Sequence, residues 1–330
     1  MDEIAKSAPP EASIEPGIPV VQPAGLTSFP EFMQKIIVGP KGVRWVWRLA
    51  AYLGLRKVLY LLLGSTLYLA DQSNLLYLWI NLLAETLFLL AALLPAFMLA
   101  PLEGRRFADY GLPWRRPFGK LFWTGAAWGF GAVSLLILAL HVAGVLDLGS
   151  LSVHGGRIFR FAVFWAVYFL VVGLAEEFYL RGYTQFTLTE GIGFWPAALV
   201  LSLGFALLHL GNPGETTAGL VGAGVIGLFF CLTLRRTGTL WFAVGFHAAW
   251  DWGESFFYSV PDSGTVAPGH LMKTLLHGPN WLTGGSAGPE GSTLVFVLVA
   301  LIWIAFDRLY REVKYPTATL IQGLGKGLAH

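Results

Sequence analysis

Eight apolar stretches, each near the ~20 residues that a helix needs to cross a bilayer, govern what this chain can become. They lie at approximately 47–70, 75–100, 121–146, 159–180, 194–210, 217–234, 239–259 and 292–310. At 330 residues the chain would otherwise suit about two soluble domains. Composition rejects that reading: charged residues are 13% of the chain, against roughly 25% in a soluble domain. Hydrophobic residues reach 55%, with 13 Trp and 24 Phe, more than a globule of this size could hide. The fold expected is all-α, a polytopic membrane bundle of about eight transmembrane helices. A net charge of +2, spread over short loops, gives no footprint for nucleic acid. The single cysteine, Cys231, excludes an intrachain disulfide and any multi-Cys zinc site. It reads as packing filler.

Residues 1–40 form a separate region. Six prolines and five acids in the first 32 residues leave little to build a core, so a disordered tail is expected. No secretory signal is expected, because no basic segment leads into an apolar one, and the first membrane helix is expected to act as an uncleaved anchor. Arg48, Arg56 and Lys57 interrupt the first stretch, and its early half is expected at the interface with these stems snorkelling. Residues 41–157 then read as N-terminal transmembrane helices, 158–260 as the core, and 261–330 as an outer loop, a last helix and a tail. Basic residues gather before span one (Lys35, Lys41, Arg44), after span two (Arg105, Arg106, Arg115, Arg116), after span six (Arg235, Arg236) and around the end of span eight (Arg308, Arg311, Lys314). The alternate loops carry only Arg157 and Lys273. By the positive-inside rule both termini are cytoplasmic, and the Gly-, Pro- and Ser-rich loop 260–291 faces outward.

Ionisable residues at hydrocarbon depth cost about 2.5–3.5 kcal/mol each and tend to be paired and functional. Three clusters stand out. In the first, Glu177 and Arg181 are four apart with the acid first, the favourable order for a helical ion pair. Glu176 points about 100° away without a local partner, suited to taking a proton from water and returning it. The second is Phe205-x-x-x-His209, one helix face, followed by the turn Gly211–Pro213. The third is His247-x-x-x-Asp251, two ionisable groups pointing the same way, with Glu254 on roughly the same face. Two chemistries use such a set. Glu can deprotonate a water while the His pair and Asp orient it and hold an oxyanion, or the His and carboxylate groups can ligate zinc. Both fit amide hydrolysis inside the membrane.

The three motifs, Glu176-Glu177-x-x-x-Arg181, Phe205-x-x-x-His209 and His247-x-x-x-Asp251, resemble those of the CPBP family, the CAAX proteases and bacteriocin-processing enzymes, also called the ABI family. These are intramembrane endopeptidases related to the type II CAAX prenyl endopeptidase, and the resemblance covers roughly residues 160–260. It implies a helical bundle around a polar chamber. By position, Glu176 would be the general base, His209 and His247 would orient water or stabilise the oxyanion, Asp251 would support His247, and Glu177 and Arg181 would brace the site. The family's third motif often ends in Asn, where this chain has Asp251. No cofactor is required in the leading reading. Zinc, held through Glu176, His209 and His247, is the alternative. The substrate implied is a membrane-associated peptide or protein, prenylated in the eukaryotic relatives. The two-sided loop charges fit a bacterial inner (plasma) membrane or an internal eukaryotic one, and the first is expected.

One feature of the topology resists this assembly. His209 falls near the outer end of span five, while His247 lies only about 12 Å into span seven. They can meet only if the span-four helix continues past Arg181 and the Gly211–Pro213 turn dips into the bundle, which is allowed where backbone lines a polar cavity. Rival readings are an inactive relative serving as scaffold or immunity factor, and a proton-coupled transporter using a chain of Glu85, Glu176, Asp251 and Glu254. The second lacks the repeat that transporters carry. A haem protein with His209 and His247 as axial ligands is disfavoured by the adjacent carboxylates. His141, His154, His270 and His277 read as loop or surface residues, and Glu85 as reaching the chamber.

Overall fold

In lipid a backbone must satisfy its own polar groups, and a helix does so locally; the apolar stretches accordingly become helices. The computed structural model describes residues 36–39, 42–67, 76–114, 117–212 and 214–316. Most of the expected tail 1–40, the loop 71–74, Arg115, Arg116 and Pro213 lie outside the described residues, as do residues 317–330. The helices are α1 (Trp45–Leu67), α2 (Leu76–Leu102), α3 (Lys120–Val142), α4 (Gly156–Tyr179), α5 (Gln185–Ile192), α6 (Phe194–Leu208), α7 (Thr217–Thr237), α8 (Trp241–Asp251) and α9 (Thr293–Leu309). The protein is an all-α, multi-pass membrane bundle. Large apolar side chains such as Trp79, Phe97, Trp123, Leu135 and Leu203 stand on its outside, the inverse of a water-soluble surface.

Among the described residues, five helices are long and apolar enough to cross a membrane: Leu78–Leu102, Lys120–Val142, Gly156–Ile192, Phe194–Gly211 and Thr217–Thr237. The other three apolar stretches are also helical but fall short of that measure. Helix α9 has 17 residues. Helix α8 has 11 before its hydrogen bonding changes at Trp252. It has no lipid to face: Trp241 to Ala248 are all buried, so α8 is the core of the bundle. In α1 the expected snorkelling is replaced by contacts inside the protein. Arg56 lies 3.6 Å from the centre of the Tyr179 ring and 4.5 Å from that of Phe88, where the ring faces compensate a desolvated cation. Arg48 pairs with Glu103 at 2.9 Å and with Glu190, which also pairs with Arg105.

Helices α3 and α8 touch backbone to backbone. A Cβ added at Gly125 would lie 2.1 Å from the Phe242 carbonyl oxygen, and one at Gly129 would lie 2.1 Å from that of Phe246. In return, a Cβ at Gly245 would lie 2.1 Å from the Phe122 oxygen. Small residues four apart permit such close approach in membranes. Gly129→Ala must therefore push α3 off α8 beside His247. Its expected cost is about 1–3 kcal/mol, as for other overpacked cores. Thermal unfolding in detergent reads it, and an unchanged Tm would show that the two helices do not meet there.

The Gly-rich loop after α8 is folded as a cap. Its strand β2 (Leu275–Leu276) pairs antiparallel with β1 (Leu146–Asp147) after α3, and Leu151 bridges Met272. Gly284, at φ +85°, lets the chain cross Gly288 where a side chain would collide with its carbonyl oxygen at 1.6 Å.

Candidate active site

Each of the three motifs sits where an α-helix departs from its regular hydrogen bonding. Helix α4 passes into a π-type turn, Leu180–Thr184, and continues as α5, so the span-four helix does run on past Arg181. Gly182 adopts φ −82°, ψ −120° there, and a Cβ on it would press on the Phe178 ring at 2.8 Å. Helix α6 ends in a 3-10 turn that begins at His209. Helix α8 passes into a π-type turn, Trp252–Phe257, directly after Asp251. Such turns recur at functional sites because they re-aim side chains that a regular helix would bury or expose.

Glu177 and Arg181 are wholly buried, and Arg181 Nη1 donates to Glu177 Oε1 at 3.1 Å. The same carboxylate oxygen lies 3.1 Å from His247 Nδ1, a contact between α4 and α8 across 70 positions. Gly173 makes it reachable: a Cβ there would lie 3.3 Å from the Val244 oxygen and 3.6 Å from the His247 Cβ, so the helices approach closely just before the motif. The other face of the imidazole edge meets two more acids. His247 Nε2 lies 3.7 Å from Glu176 Oε2 and 3.5 Å from Asp251 Oδ2. Phe230 stacks on the ring with centroids 5.6 Å apart. Glu176 Oε2 accepts no hydrogen bond, although its side chain is only 22% exposed.

Glu176, Phe230, His247 and Asp251 border one cavity of about 410 Å³, within the range of ligand sites. Glu85, Glu176, His209, His247 and Asp251 all line it. The two histidines share it without touching; Phe205 stands between them, 4.7 Å from the His209 ring and 6.1 Å from that of His247. His209 Nδ1 lies 2.9 Å from the Phe205 carbonyl oxygen. A carbonyl only accepts, so Nδ1 carries a proton and Nε2 is left as the acceptor of the neutral ring.

Several neighbours escape a reading by sequence. The grip of Glu177 on His247 depends on how α4 crosses α8, which local spacing does not encode. Phe230 looks like any apolar residue of α7. Asp262 and Glu290 come from the cap and line the same chamber. Their only signal is that they are acids in a loop otherwise rich in Gly, Pro and Ser. Burial and the Glu290 charge push the Asp262 carboxyl up to about 8.

Among the described residues, the group that brings three donor atoms within 4.8 Å of one another is Glu254, Asp262 and Glu290, not Glu176, His209 and His247. His247 Nδ1 is occupied by Glu177, and the Phe205 ring separates the histidines.

Residues 158–253 match the Rce1-like family, described as type II CAAX prenyl endopeptidase Rce1-like. The match runs from the start of α4 to the turn after α8 and contains all three motifs. It supports a CAAX-type intramembrane protease at the level of the family. No curated protein matches the chain.

Proposed function

Taking residues 158–253 as an Rce1-like domain, we propose that this protein is an intramembrane endopeptidase that hydrolyses a peptide bond of a membrane-associated or lipid-modified substrate with a water activated by Glu176. One observation carries the reading. Glu176 lines the chamber, and its Oε2 accepts no hydrogen bond while lying 3.7 Å from His247 Nε2; its neighbour Glu177 is held away in a buried pair. Two adjacent glutamates thus have different work.

In this mechanism Glu176 takes a proton from water, whose oxygen bonds to the scissile carbonyl carbon. The carbonyl oxygen becomes an oxyanion. His247 meets it through Nε2–H, since carboxylates at both ring nitrogens are satisfied only when both carry protons. His209 Nε2 accepts from the attacking water and orients it. The C–N bond then breaks, and Glu176 passes its proton to the departing amine. Glu177 holds the ring through Nδ1–H, Arg181 neutralises Glu177, and Asp251 supports the Nε2 side. No step needs a metal. The loop charges support a placement with both termini cytoplasmic, in a bacterial inner membrane rather than an internal eukaryotic one.

Asp251 tests the support role. Asn keeps an oxygen that can accept from Nε2–H, so Asp251→Asn should hold the rate within about tenfold. Asp251→Leu removes the carboxylate that lies 3.5 Å from His247 Nε2, and should lower the rate roughly 10- to 150-fold, about 1.5–3 kcal/mol. Equal rates for both variants would remove Asp251 from the mechanism.

The reading itself is tested with a peptide library, some members farnesylated, incubated with detergent-purified protein. New termini found by mass spectrometry, and unaffected by the transition-metal chelator phenanthroline, are expected. Loss of cleavage with phenanthroline and its return with Zn²⁺ would replace this mechanism with the zinc one. Absence of cleavage across prenylated and unmodified members would favour the inactive-relative or transporter reading.

A further inference from the structure

Beside the chamber, the cap and the end of α8 bring three carboxylates together without a basic partner. Glu254 belongs to the π-type turn after α8, Asp262 to the first turn of the cap, and Glu290 to its last. Donor oxygens of all three lie within 4.8 Å of one another. That is the spread one ion bridges when metal–oxygen distances are about 2.3–2.6 Å.

Three carboxylates alone would be a weak sign. The second observation is Glu254 itself. Its side chain is 0% exposed, neither carboxylate oxygen accepts a hydrogen bond, and it points into the group. A buried carboxylate with no donor costs several kcal/mol unless something neutralises it. Its two companions are held in place. Trp250 Nε1 donates to Glu290 Oε1 at 3.0 Å, and the Ser263 backbone N–H and hydroxyl donate to Glu290 Oε2 at 3.2 and 2.7 Å. Ser255 Oγ donates to Asp262 Oδ2 at 2.8 Å. Both Glu254 oxygens are left without a donor. No ion pair among the described residues includes any of the three.

We propose that Glu254, Asp262 and Glu290 bind one divalent cation of the hard, oxygen-seeking class, Ca²⁺ in the first instance, which ties the cap to the end of α8. An all-carboxylate donor set selects Ca²⁺, Mg²⁺ or Mn²⁺ over the softer metals that prefer imidazole and thiolate. The cation joins the turn after α8 to both ends of the cap, and two of its ligands also wall the chamber. It therefore fixes the roof over the catalytic groups without entering the reaction. This site is independent of the proteolytic reading.

The test uses the full chain in detergent, stripped with EDTA and dialysed against labelled Ca²⁺. One saturable site per chain is expected, with a Tm that rises as the site fills. Glu254→Gln and Asp262→Asn keep the side-chain shapes, so each should remain monodisperse and be at least as stable as the wild type in EDTA. Each should weaken Ca²⁺ binding at least tenfold and abolish the Tm response. If one variant does not fold, the other decides. Binding of Mg²⁺ or Mn²⁺ in place of Ca²⁺, lost in the same variants, supports the site with a different ion. Absence of saturable binding by all three ions, or undiminished binding in the folded variants, overturns it. So does a Tm that rises with acid but not with cation, since the cluster would then share protons.

Discussion

Glu176→Gln is expected to lower peptide cleavage by about 10²- to 10⁴-fold, the contribution of a positioned acid–base group. The substitution replaces one oxygen by an amide nitrogen of nearly the same shape. It cannot accept the proton of an attacking water, and it cannot return one to the leaving amine. Its effect on the fold should be small: Glu176 Oε2 accepts no hydrogen bond, and among the described residues its ion-pair contact is with His247 at 3.7 Å. Stability should stay within about 0.5 kcal/mol of wild type, as for substitutions that break no packing or network. Cleavage and thermal unfolding measured on one preparation separate the two effects. A variant that lost activity only in step with its Tm would make Glu176 a structural residue.

The second large effect is on the fold. Arg181→Met should destabilise the protein by about 3–5 kcal/mol, the cost of removing one partner from a buried ion pair. Arg181 is wholly buried and its guanidinium lies 4.5 Å from the Phe205 ring centre and 5.7 Å from that of Phe230. Removing it leaves Glu177 buried with His247 as its remaining charged neighbour. The rings also matter, because Phe205 packs on His209 and Phe230 on His247. Activity should therefore fall with stability. Adding Glu177→Gln to Arg181→Met removes the stranded charge and should recover part of the Tm but not the activity, because Glu177 also holds His247. Recovery of both would reduce Glu177 to a partner of Arg181 alone.

What the sequence could reveal follows from which interactions are local. The apolar stretches at 121–146 and 217–234 became Lys120–Val142 and Thr217–Thr237 because bilayer thickness sets length and hydropathy marks it. The Glu177–Arg181 pair is legible for the same reason, being four residues apart on one helix. The stretch at 239–259 was readable as apolar, but not as a helix of only 11 residues at the centre of the bundle. Centrality is decided by Gly125, Gly129 and Gly173, each of which matters only through the carbonyl or side chain it admits from α8. The snorkelling expected of Arg56 failed because Tyr179 and Phe88, more than 30 positions away, supply ring faces that sequence spacing does not announce. The chamber's motifs could be placed in order along the chain, yet their convergence depends on how α4 crosses α8, and they run into π-type turns at Leu180–Thr184 and Trp252–Phe257. Those turns follow from packing, not from a local pattern. Least visible was the cap, whose Asp262 and Glu290 acquire meaning only beside the buried Glu254.

The most direct test of the central claim is cleavage in water enriched in ¹⁸O. Hydrolysis by a Glu176-activated water puts one solvent oxygen into each new carboxyl terminus, so wild-type protein should release fragments bearing one ¹⁸O and the Glu176→Gln variant should release almost none. Fragments of equal amount from both proteins, or fragments whose new carboxyl termini carry no ¹⁸O, would contradict it.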